Sequence, residues 1–276
     1  MSVPSILRCP VCSADLTRVE KAYRCVNNHS FDIARQGYIN LLLSSQRPSK
    51  APGDSAEMIA DRRAFLDAGF YAPLRARIVE QLAQWQSTLD HHQQILDLGC
   101  GEGYYTVAFA EALYRNVVGL DISKPALAVA ARRSDKVTWC VGNSRALPLH
   151  DKYFDTVLNI FCRPHWREIA RVLRDDGVLL FVGPGANHLR ELREVLYENV
   201  TTHESETFDD AAANGFEQPK TETLEFPLVL QQPEIMQLAR MTPHYWRATA
   251  ERRAHLEQLE TLSVHAEFML REWRKR

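Results

Sequence analysis

The stretch Ile95–Thr106, ILDLGCGEGYYT, joins a short apolar segment to the start of a helix through three glycines. Gly99, Gly101 and Gly103 occupy alternate positions, where glycine permits a tight turn and the close approach of a ligand to the backbone. Asp121 follows eighteen residues after Gly103 and ends the next apolar segment, where a carboxylate can bind both hydroxyls of a ribose. The pattern therefore predicts a strand, a turn and a helix that together bind a nucleoside-containing cofactor.

Two cofactors compete for this turn. A dinucleotide site requires G-x-G-x-x-G, with the pyrophosphate on the helix N-terminus, but here the third glycine comes one residue early. Glu102 also lies inside the turn, where it would repel a pyrophosphate. S-adenosylmethionine has no phosphate and carries a positive sulfonium, so acidic groups are acceptable beside it. We predict S-adenosylmethionine, bound by Asp97, Gly99, Gly101, Glu102, Gly103 and Asp121; the alternative is that the glycines serve close packing only.

The segments around the turn alternate between strand and helix patterns. Strands are predicted over 94–99, 116–121, 137–142, 154–161 and 178–184, and the helices between them over 104–114, 124–133 and 165–173. Helices are also predicted over 56–69, 72–85, 187–200 and 233–241, and two later strands over 222–230 and 262–273. This order predicts an α/β fold of the Class I (Rossmann-like) methyltransferase type, with a mostly parallel seven-stranded sheet.

The N-terminal segment has the ligand spacing of a zinc site, Cys9-x2-Cys12-x12-Cys25-x3-His29. Each pair comes from a tight turn, and a hairpin between the pairs would bring them together. Three thiolates and one imidazole complete a tetrahedron with no position left for water, so the predicted zinc is structural. The alternative is that the cysteines are unrelated reduced thiols.

Charge is distributed unevenly along the chain. The net charge is −2, yet residues 1–50 carry seven Lys or Arg against three acids, which leaves +4 on this part and −6 on the remainder. Arg8, Arg18, Lys21 and Arg24, with Tyr23 among them, could contact phosphates and bases of RNA, although a plain structural role for the segment is equally compatible with its composition. We expect a zinc-binding RNA-recognition domain at 1–40, a linker or mobile loop at 41–54 and the methyltransferase domain at 55–276. With no signal peptide or apolar span, we expect a cytoplasmic protein without membrane contact.

Beyond the third and fourth strands the sequence offers further candidates. Asn143 and Ser144 follow the third strand, where Class I methyltransferases usually contact the adenine, or they serve turn formation only. The fourth strand ends at Asn159-Ile160-Phe161 and continues with Cys162-Arg163-Pro164, which supports neither exocyclic-amine nor cytosine-carbon methylation. Cys162 is better explained as a small packed residue than as a nucleophile.

The zinc-site spacing followed by PGDS, DAGFY and LDLGCGEGYYT closely resembles the RlmA-type 23S rRNA (guanine-N(1)-)methyltransferases. The resemblance covers nearly the whole chain and is weakest over residues 200–225. It implies methylation of ring nitrogen 1 of a guanine in a 23S rRNA hairpin loop, a zinc ion on Cys9, Cys12, Cys25 and His29, and a homodimer. It also implies cofactor contacts from Tyr71 and His188, which could alternatively be a packed aromatic and a surface histidine. The family often has aromatic-Ala-Pro where this chain has IFCRPHW, so its target-base contacts are not carried over.

Two other functions remain open at this point. One is methylation of a small molecule, with the zinc segment as a stabilising cap, and the other is a non-catalytic RNA-binding factor that retains the cofactor fold. Methylation of ring nitrogen 1 requires a group that takes its proton, and the spacing singles out none of Asp97, Asn159 and His165. The catalytic residues are therefore left unassigned.

Overall fold

The computed structural model describes residues 6–46, 53–89, 91, 93–113, 116–200, 208 and 210–276. The strands found there are β1 (Thr17–Val19), β2 (Ala22–Arg24), β3 (Ser30–Asp32), β4 (Ile39–Asn40), β5 (Gln94–Leu98), β6 (Asn116–Asp121), β7 (Val137–Val141), β8 (Phe154–Ile160), β9 (Leu173–Pro184), β10 (Lys220–Gln231) and β11 (Thr261–Arg274). The α-helices are α1 (Ala56–Asp67), α2 (Ala72–Gln86), α3 (Tyr104–Leu113), α4 (Lys124–Arg133), α5 (Trp166–Val172), α6 (Arg190–Leu196), α7 (Asp210–Ala213), α8 (Gln232–Arg240), α9 (Pro243–Arg247) and α10 (Ala250–Glu257).

The large sheet has the strand order β10-β11-β9-β8-β5-β6-β7-β4. From β9 to β4 every neighbouring pair is parallel, and β11 is antiparallel to both of its neighbours. The expected fold class and the mostly parallel sheet are confirmed. The strand count was wrong by one, because Ile39 and Asn40 pair with Cys140 and Val141 and add an eighth strand at the edge. A strand of two residues is too short to show a hydrophobic periodicity, so it could not be predicted from the sequence.

The central strands are buried along nearly their whole length and are mostly apolar, because helices cover both faces of the sheet. All seven residues of β8 are buried, as are four of the five in β5. α1 begins where predicted, since the Ser55 hydroxyl accepts a hydrogen bond from the Met58 amide, and Gly69 at φ 89° follows its end. α6 is shorter than the predicted 187–200, and Leu189 in a left-handed conformation precedes it. α7, α9 and α10 were not predicted; α10 buries only Leu256 and so lacks an apolar stripe.

The N-terminal segment, which we call the zinc ribbon (residues 6–32), packs directly on the large domain. β1, β2 and β3 form a separate three-stranded antiparallel sheet. Leu7 pairs with Leu149 in an isolated bridge, and Leu7 and Leu16 are completely buried in the same core as Phe154. The Arg8 guanidinium forms an ion pair with Asp151 at 2.9 Å. The ribbon is therefore held at a defined place beside the loop that follows β7.

The segment between the ribbon and α1 also packs on the large domain. Tyr38, Ile39, Leu41 and Leu42 are buried there. Residues 47–52 of the predicted linker lie outside the described residues, and the division at 1–40, 41–54 and 55–276 stays a prediction. Among the described residues no helix has both the length and the apolar character needed to cross a membrane.

Candidate cofactor and metal sites

The glycine-rich turn connects β5 to α3 at the carboxyl edge of the sheet. The amides of Gly99 and Cys100 both donate to the Leu120 carbonyl, at 2.8 and 3.1 Å. All three glycines have positive φ, and a Cβ on Gly103 would lie 2.8 Å from the Trp139 ring. A Cβ on Gly101 would meet nothing nearer than the Arg62 guanidinium at 3.9 Å. Gly103 is thus required by packing, whereas Gly101 borders open space that a ligand can occupy.

Asp121, at the end of β6, is fixed by the turn itself. One carboxylate oxygen accepts from the Gly101 amide at 2.9 Å and the other from the Ser123 amide at 2.7 Å. Desolvation raises the pKa of Asp121 despite these two hydrogen bonds. This is the position at which the sequence predicted a ribose-binding carboxylate.

Asp97, at the end of β5, is almost completely buried and accepts a hydrogen bond from the Thr106 hydroxyl at 2.6 Å. Burial raises the pKa of Asp97 to about 7, opposed by the Thr106 hydrogen bond and assisted by the nearby charge of Asp121. Neither carboxylate is ion-paired with a basic side chain in the part of the chain that the structure describes. Asp97 is buried and Asp121 is partly buried, so two carboxylates without an ion-pair partner suit a positively charged ligand, and the sulfonium and ammonium of S-adenosylmethionine meet that requirement.

Glu102 has a protein partner of its own. Its buried carboxylate lies 2.5 Å from an Arg133 guanidinium nitrogen, and Arg133 also pairs with Asp67 at 2.8 Å. Burial nevertheless raises the pKa of Glu102, because desolvation outweighs the charge of Arg133. The ion pair ties the turn to α4, and the predicted contact of Glu102 with the cofactor stays a prediction.

Asn143 and Ser144 lie in the turn after β7. The Asn143 carboxamide accepts from the Arg145 amide at 2.9 Å and donates to the Gln46 carbonyl at 2.8 Å, while Ser144 is half-buried. Asn143 therefore shapes the turn and joins it to the N-terminal segment. Their predicted adenine contacts remain predictions.

Tyr71 and His188 come together around Phe268, although they are far apart in the sequence. The ring centroids of Tyr71 and His188 lie 5.0 and 4.9 Å from that of Phe268, and 6.5 Å from each other. Tyr71 and His188 are both buried. The interpretation of His188 as a surface histidine was therefore wrong, whereas both predicted cofactor contacts stay predictions.

Two residues at this edge were not predicted from the sequence. Phe268, on β11, is the common neighbour of Tyr71 and His188. The strand over 262–273 was predicted from its apolar pattern, which does not distinguish Phe268 from the other apolar residues. Arg62, on α1, forms an ion pair with Asp54 and reaches the neighbourhood of Gly101. Asp54 belongs to the PGDS segment, and that segment was the only feature of the sequence that could have indicated the ion pair of Asp54 with Arg62.

Cys9, Cys12, Cys25 and His29 offer four ligand atoms that all lie within 4.8 Å of one another. The Cys12 and Cys25 sulfurs are 3.7 Å apart, and His29 Nδ1 lies 3.6 and 3.3 Å from the sulfurs of Cys9 and Cys25. A tetrahedral zinc ion places two sulfurs about 3.8 Å apart and sulfur and nitrogen about 3.5 Å apart. The four side chains therefore fit a structural zinc ion without rearrangement.

The pKa values of two ligand thiols are shifted in opposite directions, since burial raises the pKa of Cys9 whereas the pKa of Cys12 is lowered. Hydrogen bonding from Asn27, with help from the Ala14 amide, lowers the pKa of Cys12 to about 6, which favours the thiolate that zinc requires. Ser13 and Asn28, which follow the two ligand turns, both have positive φ. The ribbon hairpin exposes Arg18, Lys21 and Arg24.

Together these features define a class of protein, an S-adenosylmethionine-dependent methyltransferase that carries an N-terminal zinc ribbon. A sequence profile described as a methyltransferase domain matches residues 96–181, and one described as the RlmA N-terminal zinc ribbon matches residues 7–50. A solved structure, the [4+2]-cyclase SpnF, shares the fold at a TM-score of 0.50 and 18% identity, over 82% of this chain and 99% of that one. At that identity the likeness concerns the fold alone.

Curated relatives narrow the class to one family. The 23S rRNA (guanine(748)-N(1))-methyltransferase of Streptomyces fradiae is 36% identical over 89% of this chain and 87% of its own length. A protein of Micromonospora griseorubida, provisionally assigned as a 23S rRNA (guanine-N(1)-)-methyltransferase, is 36% identical over 89% and 88%. One of Bacillus subtilis with the same provisional assignment is 30% identical over 94% of both chains. The chain belongs to the family of 23S rRNA (guanine-N(1)-)-methyltransferases.

Proposed function

We propose that the protein transfers a methyl group from S-adenosylmethionine to ring nitrogen 1 of a guanine in a hairpin loop of 23S rRNA. One observation carries the proposal: a zinc ribbon with exposed basic residues is packed against the loop after β7, and this loop begins at Gly142, whose amide donates to the Asp121 carbonyl. That arrangement gives one RNA molecule access to both the ribbon and the cofactor turn. The activities assigned to the relatives support the same substrate.

The proposed cofactor site uses residues from five parts of the chain. Asp97 faces the cationic end of the cofactor, Asp121 binds the ribose hydroxyls, and Gly99, Gly101 and Gly103 allow the backbone to approach. Tyr71 and His188 complete the site near Phe268, with Glu102, Asn143 and Ser144 as the remaining predicted contacts. When bound, S-adenosylmethionine supplies an electrophilic methyl group on a positive sulfur.

The guanine must lose the proton of ring nitrogen 1 as the nitrogen attacks, so a neutral base is needed near the carboxyl end of β8. His165 meets the chemical requirement best. It is half-buried immediately before α5, and desolvation together with the charges of Arg145 and Arg163 lowers its pKa, so the imidazole is neutral at pH 7. We propose His165 as the proton acceptor. Asn159 has no basic group, and Asp97 is committed to Thr106 and the cationic ligand.

The proposal includes a homodimer in the cytoplasm, as the resemblance to the family implies. In this arrangement two zinc ribbons would flank a common RNA-binding cleft. Equilibrium sedimentation of the purified protein, alone and with rRNA, measures the oligomeric state directly.

The decisive experiment compares substrates. The protein is incubated with labelled S-adenosylmethionine and either deproteinised 23S rRNA or the small metabolites of a cell extract. We expect label in the rRNA, at a position that blocks reverse transcription, because methylation of ring nitrogen 1 prevents Watson–Crick pairing. Label only in the metabolites would favour a small-molecule methyltransferase with a structural zinc ribbon. Label in neither pool would leave a non-catalytic RNA-binding factor.

A further inference from the structure

Phe161 is an exposed aromatic residue at the end of a fully buried strand. All residues of β8 are buried, but the next residue, Phe161, is 46% exposed and has φ 55°. The left-handed region is unfavourable for a bulky side chain, and residues held there cluster at ligand-binding sites. Its amide donates to the Val182 carbonyl at 2.8 Å, which holds the backbone in place. The fold therefore retains an unfavourable conformation that presents an aromatic ring to solvent.

The position of Phe161 relates the ring to the cofactor turn. Its neighbour Cys162 lies against Gly99, where an added Cβ would be 2.9 Å from the Cys162 sulfur. On the other side the ring centroid of Phe161 is 5.7 Å from that of Phe268 and 6.5 Å from that of His188. The exposed ring thus stands between the glycine-rich turn and the aromatic cluster, at the edge where methyl transfer would take place.

A second, independent feature at this end of β8 is a buried carboxamide without hydrogen-bond partners in the part of the chain that the structure describes. Asn159 is completely buried, and neither atom of its carboxamide has a hydrogen-bond partner of normal geometry among the described residues. The side chain is close enough to Cys162 to oppose the effect of burial, which raises the pKa of that thiol to about 11. Buried carboxamides are nearly always hydrogen-bonded, so this end of β8 has donor and acceptor groups available for a ligand.

The segment that follows Phe161 and the loop packed against it carry exposed arginines. Arg145, Arg163 and Arg167 are exposed, and none of them forms an ion pair within the part of the chain that the structure describes. The loop that carries Arg145 is fixed to α5, since the Leu147 amide donates to Glu168 at 2.7 Å. Arg145 and Arg163 both lower the pKa of His165, so both charges lie near it. An exposed ring, followed two residues later by Arg163 and with Arg145 near His165, is complementary to a nucleotide, which has a flat base and a phosphate.

We propose that Phe161 is the platform on which one unstacked base of the RNA lies, and that Arg145 and Arg163 bind the phosphates flanking that base. The ligand is a single-stranded nucleotide, and the inference rests on the proposed RNA substrate. It also explains how a base removed from its loop would be held, because stacking on an aromatic ring replaces the stacking that the base loses.

The test uses three substitutions of Phe161 in the full-length, zinc-loaded protein. Phe161→Gly suits the left-handed backbone and removes the ring, Phe161→Tyr keeps a flat face, and Phe161→Leu keeps only apolar volume. We expect Phe161→Gly to keep its thermal midpoint within about 4 °C of the parent, because loss of packing is offset by relief of the strained φ. The KM for 23S rRNA should rise about 5- to 150-fold, the loss for one stacked base. Phe161→Tyr should match the parent, and Phe161→Leu should resemble Phe161→Gly.

Affinity for S-adenosylmethionine, measured by calorimetry, should be unchanged in all three variants. A parental KM for RNA in Phe161→Gly would overturn the proposal, and so would a loss confined to cofactor affinity. Binding of a single-stranded oligonucleotide containing 2-aminopurine is measured alongside, since stacking quenches its fluorescence. If the parent methylates no RNA, the proposed function fails, while this assay still decides whether a base stacks on Phe161.

The phosphate contacts are tested by salt dependence. Arg145→Ala and Arg163→Ala should each reduce the slope of log affinity against log salt by about 0.7, the value for one phosphate of a single strand. Arg190→Ala serves as the control, because Arg190 is exposed and paired with Glu194 on α6. Unchanged slopes in both test variants would show that neither Arg145 nor Arg163 binds a phosphate.

Discussion

Gly101 and Gly103 stand two residues apart in the same turn, and exchanging each for alanine should have different consequences: Gly103→Ala should lower stability more, and Gly101→Ala should weaken cofactor binding. Both have positive φ, at 55° and 85°. An alanine Cβ at Gly103 would lie 2.8 Å from the tip of the Trp139 ring and 3.0 Å from the Ala130 Cβ, whereas at Gly101 the nearest atom is 3.9 Å away. Gly103→Ala therefore meets packed protein, and Gly101→Ala meets open space in which we propose that the cofactor binds.

The two contributions can be estimated separately. The left-handed backbone costs alanine about 1–2 kcal/mol at either position. At Gly103 the overlap with Trp139 and Ala130 adds about 1–3 kcal/mol, because a packed core yields little to an extra methyl group. We expect Gly103→Ala to lower the free energy of unfolding by about 2–5 kcal/mol and Gly101→Ala by about 1–2 kcal/mol. The affinity for S-adenosylmethionine should fall at least about 10-fold in Gly101→Ala, since the methyl group enters the ligand space.

Urea unfolding gives the two stabilities, and calorimetry at a temperature where both variants are folded gives the cofactor affinities. A double-mutant cycle with Trp139→Phe supplies the control, because the shorter ring removes the atom that the new methyl group would touch. The loss in Gly103→Ala should be smaller in that background. If the two single variants lost equal stability, packing would not be the reason for glycine at position 103. If Gly101→Ala bound the cofactor as tightly as the parent, Gly101 would not border the cofactor.

Three further predictions concern the metal, the proton acceptor and the buried acid. Atomic absorption should find one zinc per chain. Chelation or Cys9→Ser should abolish RNA methylation, while S-adenosylmethionine binding, measured by calorimetry, stays largely intact. Equal loss of both would contradict a role of the zinc ribbon in RNA recognition alone. The rate of RNA methylation should fall as the pH drops through the pKa of His165, which lies below 6.5 because burial and the charges of Arg145 and Arg163 outweigh the opposing charge of Glu168. Arg163→Ala should move that acid limb to higher pH, and a limb that stays in place would exclude His165. The pKa of Asp97 is higher in the folded state than in the unfolded state, so folding is favoured when this carboxyl is protonated. The stabilisation by protonated Asp97 is complete below pH 3.8 and is lost as the pH rises to about 7. We compare the free energies of unfolding in urea of Asp97→Asn and the parent at pH 4 and at pH 8. The difference, variant minus parent, should be larger at pH 8 by on the order of 4 kcal/mol. An equal difference at both pH values would contradict the burial of an ionisable carboxyl.

Local patterns in the sequence were sufficient for much of the architecture. The five central strands were predictable because each is a short apolar run between polar turns, and the four zinc ligands because their spacing is set within two turns of the chain. The Ser55 cap and the end of α1 near Gly69 are likewise local hydrogen-bond and backbone effects. Chemistry that is complete within a few residues leaves a recognisable pattern.

The tertiary structure decided what depends on contacts between distant residues. Gly99 must be glycine partly because Cys162, 63 positions later, occupies the space of a side chain, and Tyr71 meets His188 only through Phe268 on β11. Phe161 was predicted as the last residue of the strand over 154–161, but it follows the buried strand β8 in a left-handed, exposed conformation. By itself the sequence determined the fold class, the zinc site and the cofactor turn, since hydrophobic periodicity and ligand spacing act along the chain. Only folding determined which side chains line the pocket and which remain exposed, because packing joins residues that no local pattern relates.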